Sequence, residues 1–198
     1  MRLSPTTTDY DGPIVIIGFG SIGKGALPLI LRHIRSPRDR MVVIDPDDSA
    51  RRLAELEGVR FEKVALHPEN YREVLAPLIA GGFLVNLSVD VSSTALVALC
   101  REVGALYIDT CIEPWAGGYL DRSKPLAART NYALREEVRA LRGDGPTAII
   151  AHGANPALRK SMPYDTLKDF APVVLVAELP TVLLVNPSVP ANSIAELV

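Results

Sequence analysis

Short, wholly apolar runs alternate with amphipathic stretches along most of this chain. Residues 14–17 (Ile-Val-Ile-Ile) are all β-branched, the pattern of a strand buried on both faces of a parallel sheet. Residues 41–44 repeat it, and further strands are predicted at 59–64, 83–88, 105–109 and 147–150. Helical patterns lie between them. The first carries Ala26, Leu27, Leu29, Ile30, Leu31 and Ile34 on its apolar side and ends at Ser36-Pro37. Pro28 is placed near its start, where proline costs least. A second helix is expected over 47–57, capped by Asp47, Asp48 or Ser49. A third, over 67–80, turns Val74, Leu75, Leu78 and Ile79 inward and closes at Gly81-Gly82. A fourth spans 92–103 before Gly104, and a longer one spans 126–142, with Leu134, Val138 and Leu141 on one side. Strands and helices in this rhythm imply right-handed crossovers and an α/β, Rossmann-like, doubly wound, mostly parallel sheet.

The texture changes after residue 156. Prolines 163, 172, 180, 187 and 190 punctuate the remainder, and two apolar runs at 173–177 and 182–185 have no clear helix between them. The expected division is therefore a domain over 1–156 and an irregular C-terminal extension over 157–198.

Composition narrows the function classes. Hydrophobic residues make up 48% and charged residues 22% of the 198, the balance of a soluble protein with a real core. A net charge of -2 provides no field for nucleic acid or an anionic membrane. Cys100 and Cys111 form no metal-binding set, so no metal is expected, and reduced thiols are the simpler reading. Residues 1–12 lack the basic start and apolar run of a signal peptide, and no apolar stretch is long enough to span a bilayer. The expected location is the cytoplasm.

The most telling local chemistry is the loop Gly18-Phe19-Gly20-Ser21-Ile22-Gly23. A buried strand precedes it, a helix follows it, and Asp45 ends the second strand, 22 residues beyond Gly23. In such a unit the first glycine permits the tight turn and the second admits a pyrophosphate. The third lets helix and strand pack closely. Helix N-terminal N–H groups face the phosphates. Asp45 is suited to accept hydrogen bonds from the adenine ribose hydroxyls. With Asp47 and Asp48 it repels a 2′-phosphate, and Pro46 stands where an NADP-binding arginine would. The expected cofactor is NAD. A glycine turn that binds no nucleotide is the simpler alternative.

Beyond this loop, several blocks resemble bacterial homospermidine synthase, a member of the saccharopine dehydrogenase-like group. They are residues 11–23, Val43-Ile44-Asp45-Pro46, Val85-Asn86-Leu87-Ser88-Val89-Asp90 and Leu106-Tyr107-Ile108-Asp109-Thr110. Glu113-Pro114-Trp115, residues 128–135 and Gly153-Ala154-Asn155-Pro156 continue the pattern, over about residues 11–156. The resemblance implies aminobutyl transfer between putrescine molecules. An amine carbon gives up hydride to bound NAD, the resulting imine exchanges its amine, and the new imine is reduced. It also implies polyamine biosynthesis, a diamine substrate and, in the full-length family, a homodimer.

A dicationic substrate calls for carboxylates and aromatic faces. Glu113 and Trp115 are the candidates for the reacting end, with Asn155. Asp90 either joins them or caps the helix beginning near residue 92, and Asp109 either joins them or holds a loop. Trp115 is equally readable as core. Asn86, Leu87, Ser88, Thr110 and Asn155, at strand ends, are candidates for the nicotinamide side. A backbone partner would satisfy Asn86 just as simply. Cys111 beside this region reads better as a packed thiol than as a nucleophile.

The homospermidine synthases are much longer, with a second domain after the segment matching 153–156. In its place, residues 155–198 resemble part of the solute-binding proteins of tripartite tricarboxylate transport. Their blocks here include Ser161-Met162-Pro163-Tyr164-Asp165 and residues 183–191. The expectation is a fused chain whose N-terminal domain binds NAD but lacks half of the diamine site. Two alternatives differ in chemistry: a saccharopine dehydrogenase-type oxidoreductase acting on an amino acid imine, and a non-catalytic nucleotide-binding or solute-binding fragment. Arg129 and Arg135, on the long predicted helix, are the arginines available to an amino acid.

Overall fold

The computed structural model describes residues 7–151. The expectations for 152–198, including Asn155 and the proline-rich extension, lie outside the described residues.

Six strands form one sheet: β1 (Ile14–Ile17), β2 (Met41–Asp45), β3 (Arg60–Lys63), β4 (Phe83–Asn86), β5 (Leu106–Asp109) and β6 (Ala148–Ile149). Their order is β3-β2-β1-β4-β5-β6, and every neighbouring pair is parallel. Sequential strands run outward from β1 in one direction, and the chain then crosses to β4 on the other side. That reversal opens a crevice at the carboxyl ends of β1 and β4, where open α/β sheets bind ligands.

Helices α1 (Ser21–His33), α2 (Arg51–Leu56), α3 (Tyr71–Ile79), α4 (Ser93–Val103) and α5 (Asn131–Ala140) supply the outer layers. Strand alternation divides the core in two. Ile14, Ile16, Met41 and Val43 pack with Leu27 of α1 and Ala54 of α2. Val15, Ile17, Val42 and Ile44 pack with Leu75 and Ile79 of α3, Leu96 of α4 and Leu134 of α5. Among the described residues no helix is long and apolar enough to cross a membrane.

Several element boundaries differ from expectation, each for a local reason. α1 ends at His33, because Ile34–Arg35 pairs in parallel with Thr8–Asp9. Pro28 sits in the helix interior, seven residues along from Ser21, not near its start. α2 is confined to 51–56, and neither aspartate nor Ser49 caps it. Asp47 instead accepts the Ser49 N–H at 2.9 Å and the Ser49 hydroxyl at 2.8 Å, closing a turn that delays the helix. The segment 126–142 breaks at Thr130 into a 3₁₀ turn, Leu126–Arg129, and α5.

Candidate dinucleotide site

The glycine loop joins the carboxyl end of β1 to α1, and its three glycines meet different surroundings. Gly18 has φ +90°, and a Cβ there would lie 2.7 Å from the Leu87 carbonyl carbon and the Ser88 nitrogen. The close approach of the β1 and β4 ends thus depends on its missing side chain. A Cβ on Gly23 would collide with the Gly18 carbonyl oxygen, which is helix–strand packing at contact distance. A Cβ on Gly20 would meet nothing within 4 Å. The loop presents bare, open backbone at that point, beside the N-terminus of a helix of 13 residues. This fits a pyrophosphate.

Asp45 ends β2 opposite the loop. Its Oδ2 accepts the Phe19 N–H at 2.5 Å and its Oδ1 accepts the Asp47 N–H at 2.8 Å. The carboxylate pins the loop to the sheet while remaining half-exposed. A carboxylate has about four acceptor positions, so lone pairs stay free for a ribose.

A cavity of about 640 Å³ covers this end of the sheet. Gly18, Gly20, Ser21, Ile22, Asp45, Pro46, Leu87 and Ser88, all expected at the cofactor, line it. Gly23 does not, because its work is the packing beneath the loop. Asn86 and Thr110, also expected at the cofactor, are not among the lining residues. Asn86 is 1% exposed and turned away from the cavity; its Oδ1 accepts the Ser88 hydroxyl at 2.6 Å and its Nδ2 donates to the Tyr107 hydroxyl at 3.2 Å. Strand alternation puts this amide on the same face of the sheet as Leu84, beside Tyr107 of β5. Thr110 is exposed and does not line the cavity, since the chain turns outward after β5.

The segment after β3 was not foreseen. Val64, Ala65 and Leu66 form an apolar wall of the cavity. The signal is an apolar triplet, of which Val64 falls in the strand expected over 59–64 and residues 65–66 lie between it and the helix expected from 67.

Glu113 and Trp115 lie on the loop after β5. Glu113 is half-buried; burial raises its carboxyl pKa above the usual range, and the negative charges of Asp90 and Asp109 add to the rise. Trp115 packs against Tyr71 with ring centroids 5.3 Å apart and ring planes tilted by 60°, and it also lines a second cavity of about 400 Å³. Ala116 lines both cavities, so the two adjoin. Asp90 lines the larger one with φ +62°, a left-handed conformation that aspartate tolerates better than most residues. It does not cap α4: Ser92 does, accepting the Ala95 N–H at 3.3 Å. Asp109 is 4% exposed and accepts the Ala151 N–H at 2.7 Å, so it holds a loop. Cys111, where burial and then Glu113 push the thiol up to about 11, is a packed thiol and no nucleophile at neutral pH. No cluster that could hold a metal exists among the described residues.

The family model described as the saccharopine dehydrogenase NADP binding domain matches residues 14–151. The homospermidine synthase of Blastochloris viridis is 56% identical over 161 residues, which are 78% of this chain and 34% of that protein. The homospermidine synthase of Mesorhizobium japonicum is 47% identical over 161 residues, covering 78% of this chain and 33% of its own length. A crystal structure of the homospermidine synthase from Legionella pneumophila, in complex with NAD, superposes with TM-score 0.66 at 36% identity, over 78% of this chain and 32% of that one. The chain thus spans about a third of the length of these relatives. With its sheet, glycine loop and 14–151 all matched, it belongs to the saccharopine dehydrogenase NADP-binding domain family.

Proposed function

We propose that this chain is the NAD-binding part of a homospermidine synthase-like transferase that moves an aminobutyl group between putrescine molecules. The observation that carries this is the cavity at the strand-order reversal. Open Gly20 backbone lies on one side of it and Asp45 on another, and the acid and aromatic residues of the 113–115 segment adjoin it through Ala116. When bound there, NAD supplies the hydride acceptor and donor. The chain's own residues orient it. The loop N–H groups take the pyrophosphate, Asp45 takes the ribose, and Leu87 and Ser88 line the nicotinamide side. Asp45, Asp47 and Asp48 disfavour a 2′-phosphate, which selects NAD over NADP.

Glu113, with Asp90 nearby, provides negative charge for an ammonium group, and the Trp115 ring provides a face for it. Burial raises the Glu113 carboxyl pKa, and an ammonium group beside it lowers it again, so the pair favours the charged form. The 56% identical relative supports this reading. The reading also places the protein in cytoplasmic polyamine biosynthesis, as a homodimer, with a diamine as its partner molecule and neither nucleic acid nor membrane.

One observation favours a second reading. Arg129 lines the smaller cavity beside Trp115, and a guanidinium there suits the carboxylate of an amino acid imine, the substrate of a saccharopine dehydrogenase-type enzyme.

Titration of the purified chain with NAD and NADP tests the cofactor assignment. NAD should bind at least about tenfold more tightly, a difference near 1.4 kcal/mol; equal affinities, or binding of neither, would sink it. Adding putrescine or an amino acid to the NAD-loaded chain then separates the two substrate readings by which one produces NADH absorbance.

A further inference from the structure

A buried polar chain runs across the carboxyl end of the sheet, behind the wall of the larger cavity. Ser88, on that wall, donates its hydroxyl to Asn86 Oδ1 at 2.6 Å and its N–H to the same oxygen at 3.2 Å. Asn86 Nδ2 donates to the Tyr107 hydroxyl at 3.2 Å, and that hydroxyl donates to Asp109 Oδ2 at 3.0 Å. The Ser93 hydroxyl donates to the same carboxylate oxygen at 3.0 Å and accepts the Glu113 N–H at 3.1 Å. Asp109 Oδ1 accepts the Ala151 N–H at 2.7 Å. Asn86, Ser93, Tyr107 and Asp109 are 1%, 0%, 1% and 4% exposed, so water replaces none of these partners.

Two properties set this chain apart from ordinary core packing. Its direction is fixed. Asp109 is the acceptor at its centre, and the donors on both arms point toward it. Breaking one link leaves a buried group unsatisfied and weakens the next link, because bonded groups polarise one another. Its ends are also informative. One reaches the cavity wall at Ser88, one the backbone of Glu113, and one the exit of β6 at Ala151. Register explains how the arms meet: Asn86 on β4 lies directly beside Asp109 on β5.

We propose that Tyr107 is a positioning residue that holds Ser88, Glu113 and Ala151 as one unit, so that a dinucleotide seated against Ser88 sets the placement of Glu113. The second clause rests on the cavity being the dinucleotide site; the first does not. Tyr107 touches neither cavity and acts only through Asn86 and Asp109.

Residue-resolved amide exchange on the full chain tests this. Tyr107→Phe keeps the ring and removes only the bridging hydroxyl. The amides of Ser88, Glu113 and Ala151 should each exchange roughly fivefold to tenfold faster, while β1 amides change by less than about twofold. Ser93→Ala is the second variant. It should loosen Glu113 directly and Ala151 through Asp109, by a similar factor. NAD should slow exchange at Glu113 in the wild type and not in Tyr107→Phe. Wild-type exchange at Glu113 and Ala151 in Tyr107→Phe overturns the proposal, whatever Ser93→Ala does, as does equal protection of Glu113 by NAD with and without the hydroxyl. If NAD leaves the Gly20 and Ser21 amides unprotected in the wild type, the dinucleotide reading of the cavity fails instead, and with it the second clause. The ligand-free comparison still decides whether the three loops form one unit.

Discussion

Gly20 and Gly23 stand three residues apart in one loop and do opposite work. At Gly23 a methyl group would strike the backbone oxygen of Gly18, which cannot rotate away. Gly23→Ala should therefore cost about 1–3 kcal/mol of stability, the range for overpacking, and weaken NAD binding as the loop shifts. At Gly20 a methyl has open space, and φ -69°, ψ -154° is accessible to any residue. Gly20→Ala should change stability by less than about 0.5 kcal/mol yet lower NAD affinity at least about tenfold, because the methyl occupies the approach to the phosphates. Urea unfolding and NAD titration of both variants check this. Equal destabilisation by the two, or unchanged affinity in Gly20→Ala, would remove the distinction. Residue roles of this kind were legible in the sequence because the loop, its strand and its helix are contiguous. The roles of Asn86 and Tyr107 were not: their partners lie 21 residues apart in the chain and meet only through strand pairing. Nor was the second duty of Asp45, holding the loop through the Phe19 N–H across 26 residues.

At the level of elements, the alternation of apolar strands and amphipathic helices placed all six strands of the main sheet, and what escaped it was where helices begin. Thr130 shows why. Residues 126–142 keep a helical apolar pattern throughout, and Thr130 reads as a surface position within it. Instead its hydroxyl donates to the Ala127 carbonyl at 2.9 Å and accepts the Ala133 N–H at 3.2 Å, ending one turn and capping the next helix. A side chain that satisfies backbone groups on both sides competes with a continuous helix. The Asp47 turn delays α2 by the same competition. Thr130→Ala should then lower stability by about 1 kcal/mol, and Thr130→Ser should restore most of it. The urea midpoints of the two variants are the measurement. A Thr130→Ala variant as stable as the wild type would mean that packing of Leu134 and Val138, which are buried on α5, fixes the helix start without the cap.

At the scale of the whole molecule, the two carboxyls raised in pKa among the described residues, Asp109 and Glu113, lie at the end of β5 and on the loop after it. Burial raises the Asp109 pKa above its ordinary value, opposed in part by the bonds from Ala151, Ser93 and Tyr107, and Glu113 is raised as well. The sign of the consequence for folding follows from linkage. Below the ordinary carboxylate pKa both states hold the proton, and the folded state keeps its full advantage. As pH rises, the unfolded chain ionises first while folded Asp109 retains its proton, so stability falls until the folded group has also ionised. Asp109→Asn removes that titration and leaves Glu113 in place. The difference in unfolding free energy between wild type and Asp109→Asn should therefore shrink as pH rises through and above the ordinary carboxylate range, and then level off. Exposed acids with lowered pKa, such as Asp47 and Asp121, act in the opposite direction in both proteins and cancel in the comparison. Urea unfolding across that pH range measures the difference. A gap that widens with pH would show that the three hydrogen bonds outweigh burial. The bonds from Ala151, Ser93 and Tyr107 would then lower the Asp109 pKa by more than burial raises it.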